Sequence, residues 1–257
     1  MKPGGESQTL EAIGPTPILL SKTTTSIATW NVMTMYRAGR AAQVANEFRN
    51  YKLEVLGISE ARWNGVGQKR LTTGELILFS DHEEDNAPHT QGVALMLSKR
   101  AQRALLGWYA FGPRLILARF KTKKRRINMN IIQCYAPTND SDKEVKDDFY
   151  DRLQSVLENC SARDVTCLLG DFNAKIGSDN RGYEQIMGRH GLGEMNDNGE
   201  RFADLCASYN LVIGGSIFSP QTGPQGNLEI ARSGDKESDQ PHLYLQEVQT
   251  NTAGCAC

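Results

Sequence analysis

Five polar side chains stand just past short apolar runs in this sequence. Asn31 follows IATW, Glu60 follows VLGIS, Tyr135 follows IIQC, and Asp171 follows VTCLLG, with Asn173 two residues later. In sheet-built enzymes the acting groups project from one end of the strands, because the sheet holds them rigidly while loops admit substrate. Two carboxylates, two side-chain amides and a phenol gathered this way make an oxygen-rich, partly anionic pocket. Such a pocket suits Mg²⁺, which takes few protein oxygens and keeps waters and substrate phosphate oxygens, and Mn²⁺ accepts the same donors. The implied chemistry is metal-assisted hydrolysis of a phosphoester. Each residue alone has a plainer reading. Asn31 can start a turn, Glu60 can be an exposed strand end, Tyr135 before Ala-Pro can be a half-buried aromatic, and Asp171 with Asn173 can build an Asx turn. Singly, the plain reading prevails for all but Asp171. Jointly, four strand ends with compatible chemistry favour a site.

The elements that must position these residues are legible as short apolar runs bounded by turn residues or charge. Strands are predicted at Ile27–Trp30, Val55–Ser59, Leu76–Phe79, Val93–Leu97, Leu115–Phe120, Ile127–Tyr135, Val165–Leu169 and Leu211–Ile213. Helices are predicted at Ala41–Tyr51 (Val44 and Phe48 four apart), at Asp142–Glu158 (Val145, Phe149, Leu153, Val156, Leu157), and at Gly199–Tyr209, capped by Asn198. Several strands follow one another with only turns between, which excludes a purely alternating parallel sheet and favours a two-sheet core with helices outside. Residues 1–26, rich in Gly, Pro, Ser and Thr, read as a disordered leader, and 220–257, polar and aperiodic, as a poorly ordered tail in which HLYLQEV could make one short strand.

Bulk properties exclude other classes. Hydrophobic residues are 39% and charged residues 23% of the chain, ordinary for a globular domain able to build a core. A net charge of −1 gives no overall basic footprint, so any nucleic-acid binding must rest on local charge. The densest basic run, Lys121–Arg126, reads as a solvated hairpin turn ahead of a DNA clamp. The six cysteines form no CxxC pair and no zinc spacing. No apolar run approaches the ~20 residues of a membrane helix, and PILL at Pro17–Leu20 is too short for a signal core. These features point to a reduced protein of the cytoplasm or nucleus, without a membrane association.

Taken in order, TWNV (Thr29–Val32), ISE (Ile58–Glu60), CYAPT (Cys134–Thr138) and GDFN (Gly170–Asn173) resemble the endonuclease/exonuclease/phosphatase family. Longer stretches resemble, more narrowly, the endonuclease domain of non-LTR retrotransposons of the RTE/BovB kind. They are QGVALMLS (Gln91–Ser98), IIQCYAPTND (Ile131–Asp140), GDFNAKIGSDN (Gly170–Asn180), MGRHGLGEMNDNGERF (Met187–Phe202) and NLVIGGSIF (Asn210–Phe218). The resemblance spans about residues 27–219. It implies a four-layered α/β sandwich, two packed β-sheets with flanking helices as in deoxyribonuclease I. It also implies a Mg²⁺-dependent endonuclease that nicks DNA, with a reverse transcriptase domain expected elsewhere in the full element. By that resemblance Glu60 is the principal Mg²⁺ ligand with Asn31 beside it, and Tyr135 donates to the scissile phosphate. Asp171 positions or deprotonates the attacking water or steadies the leaving group. Asn173 holds a phosphate oxygen or orients Asp171.

The resemblance breaks near Ser219, before the family's late Ser-Asp-His motif. An incomplete sandwich, marginal stability and impaired cleavage are therefore expected, general acid–base help being worth ~10²–10⁴ in rate. A non-enzymatic remnant with weak nucleic-acid or protein binding is the alternative, and a sibling phosphatase or phospholipase a more distant one. Ser80-Asp81-His82 reads as a loop coincidence, and His89, His190 and His242 as non-catalytic. Met33 and Thr138 stand where many relatives carry Asp and Asn.

Overall fold

The computed structural model describes residues 17–18, 25–82, 91–217 and the backbone of 243–248. Among these residues, ten strands form two sheets. The six-stranded sheet is built from β1 (Thr25–Asn31), β2 (Val55–Ser59), β3 (Val66–Arg70), β4 (Leu76–Ser80), β5 (Val93–Leu97) and β10 (Leu243–Val248), in the order β10-β1-β2-β5-β4-β3. The four-stranded sheet runs β6 (Leu105–Ala110), β7 (Leu115–Lys121), β8 (Asn128–Tyr135), β9 (Val165–Asp171). Only β1–β2 and β8–β9 pair in parallel. The helices are α1 (Arg40–Asn50), α2 (Lys99–Ala104), α3 (Lys143–Glu158) and α4 (Asp197–Tyr209).

Strand alternation sorts the apolar residues into layers. Ile27, Val55, Leu95, Ile116, Met129, Ile131 and Leu169 face one another between the sheets. Ala28, Leu56, Ile58 and Met96 turn outward and are covered by Val44 and Phe48 of α1. Leu117, Ile132 and Cys134 turn outward from the other sheet onto Phe149, Leu153 and Val156 of α3 and Leu205 of α4. Both faces of the central strands are thus covered, and for that reason they read as unbroken apolar runs. Each large side chain fully buried here contributes ~1.5–3 kcal/mol. The result is the four-layered α/β sandwich expected.

Several expectations are corrected in detail. Leu211–Ile213 is not a strand: Asn210 ends α4 in the left-handed region, and the segment then makes one bridge, Ile213 to Met187. The α4 cap is Asn196, whose side chain accepts from the Gly199 amide, while Asn198 is buried inside the first turn. Upstream of Ile27, Thr25 and Ser26 already pair in β1, and Ile18 is buried with its amide donating to Lys121 O. The HLYLQEV strand corresponds to β10, antiparallel to β1. The remaining leader and tail residues, with His89 and His242, lie outside the described residues. Thr122–Ile127 is the β7–β8 turn, so the basic run sits roughly 23 Å along β8 from Tyr135 and takes no part in a site there. Among the described residues no helix is long and apolar enough to cross a membrane, and Cys134, Cys160, Cys167 and Cys206 are free.

Candidate functional site

Followed along the strands, the side chains between the sheets change character. In β1 they run Ile27, Thr29, Asn31; in β2 Val55, Gly57, Ser59; in β8 Met129, Ile131, Gln133, Tyr135; in β9 Cys167, Leu169, Asp171. The parallel registers align the ends, pairing Asn31 with Ser59 and Tyr135 with Asp171. Since β1 packs on β9 and β2 on β8, both sheets deliver their polar ends to one place.

A buried hydrogen-bond network fixes that meeting. Thr29 Oγ1 donates to Gln133 Oε1 (3.1 Å), Gln133 Nε2 to Ser59 Oγ (2.9 Å), and Ser59 Oγ to the Cys134 carbonyl (3.1 Å). Gly57 makes room: a Cβ there would stand 1.8 Å from Gln133 Oε1. Gly170, at φ +144°, lets β9 run so close to β8 that a Cβ would stand 2.2 Å from Cys134 O.

Above the network the predicted residues meet. Asn31 Nδ2 donates to Glu60 Oε1 (2.8 Å) and to Asp171 Oδ2 (3.0 Å), so carboxylates from different sheets lie within two hydrogen-bond lengths of each other. The Tyr135 hydroxyl donates to the same Glu60 Oε1 (3.1 Å). Burial, then the charges of Glu60 and Asp171, push the Tyr135 phenol above its ordinary value, so it stays a protonated donor. Asn173 meets Asp171 in the Asx turn anticipated for the pair. Its main-chain amide donates to Asp171 Oδ1 (3.0 Å), the Asx turn, and its side-chain Nδ2 is spent on Ala136 O (3.0 Å). It orients Asp171 through its backbone.

Glu60 sits just beyond β2 at φ +57° and Arg62 at φ +55°, left-handed conformations that cost a non-glycine residue about 1–3 kcal/mol each. They aim both side chains at one point, where Arg62 Nη2 meets Glu60 Oε2 at 2.7 Å. Arg62 escaped the sequence reading, as did Arg114, which lies 5.3 Å over the Tyr135 ring and donates to Tyr135 O. Burial lowers the Arg114 pKa from its usual value. The signal for the network was available: Gln133 interrupts an apolar strand, and a polar residue there needs partners. Met33, 65% exposed at φ 59°, donates its amide to Asn31 Oδ1 and brings no carboxylate. Ser80 ends β4 with its Oγ donating to Gly112 O, and the His82 amide donates to Asp81 Oδ1. His190 is exposed, its amide donating to Ser216 O.

Among the described residues no cluster of three His, Cys, Asp or Glu side chains exists. The side chains that converge are instead two carboxylates, hard oxygen donors at the mouth of a rigid sheet end, joined by the Asn31 amide nitrogen, while Asn31 Oδ1 accepts from the Met33 amide. That fits a cation such as Mg²⁺, which is held by one or two carboxylates and completes its shell with water and phosphate.

No family model matches the chain. Craniofacial development protein 2 of Tragulus javanicus and of Bos taurus are each 35% identical to it over 192 residues, 75% of this chain. The chain spans about a third of the length of these curated relatives, 32% and 31%. Among solved structures, it is similar to the 3′ phosphatase NExo from Neisseria bound to a product DNA hairpin. That match has a TM-score of 0.50 and 18% identity, covering 71% of this chain and 70% of that one. It is also similar to the AP endonuclease LMAP from Leishmania major, with a TM-score of 0.50 and 12% identity over 77% and 72% of the two chains. The likeness to these two structures gives the fold alone, an α/β sandwich of two packed sheets.

Proposed function

We propose that this chain is a divalent-metal-dependent DNA endonuclease domain that hydrolyses phosphodiester bonds. The observation that carries the reading is the junction of Glu60 and Asp171 through one Asn31 amide, with the Tyr135 phenol alongside. In it, Glu60 and Asn31 hold the cation, Mg²⁺ or Mn²⁺, which when bound neutralises phosphate charge and activates water. Tyr135, kept protonated by burial and neighbouring carboxylates, donates to a non-bridging phosphate oxygen. Asp171, held at one oxygen by the Asn173 amide, orients and deprotonates the attacking water with the other. Arg114, packed on the Tyr135 ring, fixes the phenol's direction.

Two similar structures support DNA as substrate, since one is described with a product DNA hairpin and the other as an AP endonuclease. The RTE/BovB-like stretches support a retrotransposon origin, in which the nick would prime a reverse transcriptase carried elsewhere in the element. Plasmid nicking in Mg²⁺ tests the reading. The intact chain should convert supercoiled to open-circular DNA, and Glu60→Ala and Asp171→Ala should each lower the rate by at least ~10². Nicking unchanged in both variants would end the proposal. A second reading, a nucleic-acid-binding module without turnover, is favoured by the Arg62–Glu60 ion pair, which holds a carboxylate oxygen a cation would need. Binding without nicking in either Mg²⁺ or Mn²⁺ would select it.

A further inference from the structure

We propose that the cleft beside the catalytic end of the six-stranded sheet is a stacking subsite for an unpaired nucleobase. The base would belong to the strand whose phosphodiester lies at Glu60 and Asp171, so the proposal rests on the nuclease reading. The cleft, about 510 Å³, is lined by Tyr36, Trp63, Asn64, Gln68, Lys69 and Phe79. An unpaired base offers two π faces and an edge of donors and acceptors. It is bound by aromatic planes, sequence-tolerantly, with cations for the backbone.

The cleft has these parts. Trp63 is a held platform: its Nε1 donates to Met35 O (3.1 Å), and Phe79 meets it edge-on at 5.3 Å and 90°. Tyr36, 70% exposed, lines the same opening. Lys69 Nζ stands 5.4 Å from the Trp63 ring, and the exposed amides of Asn64 and Gln68 face the same opening. The location matches the site. Trp63 is three residues past Glu60, so their Cα atoms are at most about 11 Å apart, within a few nucleotides of the scissile bond. The β1–α1 loop that carries Tyr36 is tied to the Glu60 loop by the Met35 amide donating to Ala61 O. In duplex DNA the faces of a base are covered by its neighbours, so this cleft selects strands that are single or locally opened.

Tryptophan fluorescence reads the test, because Trp30 and Trp108 are buried and Trp63 is the one at the cleft. The full chain is titrated in chelator, where no cleavage occurs, with a short oligothymidylate, with an abasic oligomer carrying the same number of phosphates, and with duplex. The expected result is quenching by oligothymidylate with affinity roughly tenfold above that for the abasic oligomer and the duplex. Trp63→Ala, read by oligomer anisotropy, and Tyr36→Ala should each erase that difference while leaving abasic-oligomer affinity unchanged. Tyr36, largely exposed, serves if Trp63→Ala fails to fold. Equal affinity for both oligomers, or a difference surviving both substitutions, overturns the subsite. So does quenching by a proline-rich peptide with none by oligothymidylate. The two readings separate cleanly: base-dependent binding without plasmid nicking removes hydrolysis and keeps the subsite, and nicking without base dependence does the reverse.

Discussion

The interface between the two sheets has two halves that do different work. At the far half it is closed by Val55, Phe120, Met129 and Ile131, all essentially without solvent exposure. At the near half Thr29, Ser59 and Gln133 meet through hydrogen bonds, and Asn31, Glu60, Tyr135 and Asp171 stand on top. Apolar contact is non-directional and holds the sheets together in more than one relative position. Hydrogen bonds fail with small misalignment, so the polar half selects the position in which carboxylates from two sheets share one amide. Cohesion lies in one half and alignment in the other.

Substitutions can separate the halves. The largest loss is expected from Gly170→Ala, where a Cβ meets Cys134 O at 2.2 Å and φ is +144°. Backbone must move on both strands that carry Tyr135 and Asp171. A destabilisation of about 3 kcal/mol or more, seen as a collapse of the urea midpoint, should accompany loss of nicking. Next is Ile131→Ala in the apolar half, costing ~2–5 kcal/mol. Here the nicking rate per folded molecule, measured well below the unfolding midpoint, should stay within about twofold of the parent, the twofold margin being worth only ~0.4 kcal/mol. A large rate loss at Ile131 would show that the two halves are not separable. Gln133→Leu should do the opposite. It strands the Thr29 hydroxyl, leaves Ser59 only its bond to Cys134 O, and costs ~1–3 kcal/mol in stability. Its nicking rate should fall by more than the Ile131 variant's, because registry across the sheets is lost.

The same division explains what the sequence disclosed. β2 and β5 were legible to the residue, because strands covered on both faces are continuous apolar runs. β3, VGQKR, carries exposed side chains and leaves no apolar pattern, and α2 is only six residues, so both passed unread. β6, LLGWYA, lies on the edge of its sheet and was also missed. LVI at Leu211–Ile213 had the composition of a strand but pairs only through an isolated bridge, Ile213 to Met187. Asn31, Glu60, Tyr135 and Asp171 were legible as candidates because they stand at or just past strand ends. Arg62 was not, since its meeting with Glu60 depends on two left-handed residues that no propensity anticipates.

Arg62 makes the smallest change to the fold and the most informative one for the site. Its guanidinium holds Glu60 Oε2 at 2.7 Å, with side chains 35% and 15% exposed, so Arg62→Met should alter stability by no more than about 1 kcal/mol. Its effect on cation binding is another matter. A positive charge beside the proposed ligand Glu60 would repel a divalent ion and occupies one of the two oxygens such an ion would use. Removing that charge leaves Asn31 and Tyr135 still donating to Oε1, so Glu60 keeps its position while the local potential becomes more negative. Mn²⁺ titration followed by electron paramagnetic resonance should show roughly tenfold tighter binding in Arg62→Met, and none of this gain in the Arg62→Met, Glu60→Gln double variant. Weaker binding would mean that Arg62 orients Glu60 instead of competing for it. Alignment of the near half would then depend on a charged residue as well as on the buried network.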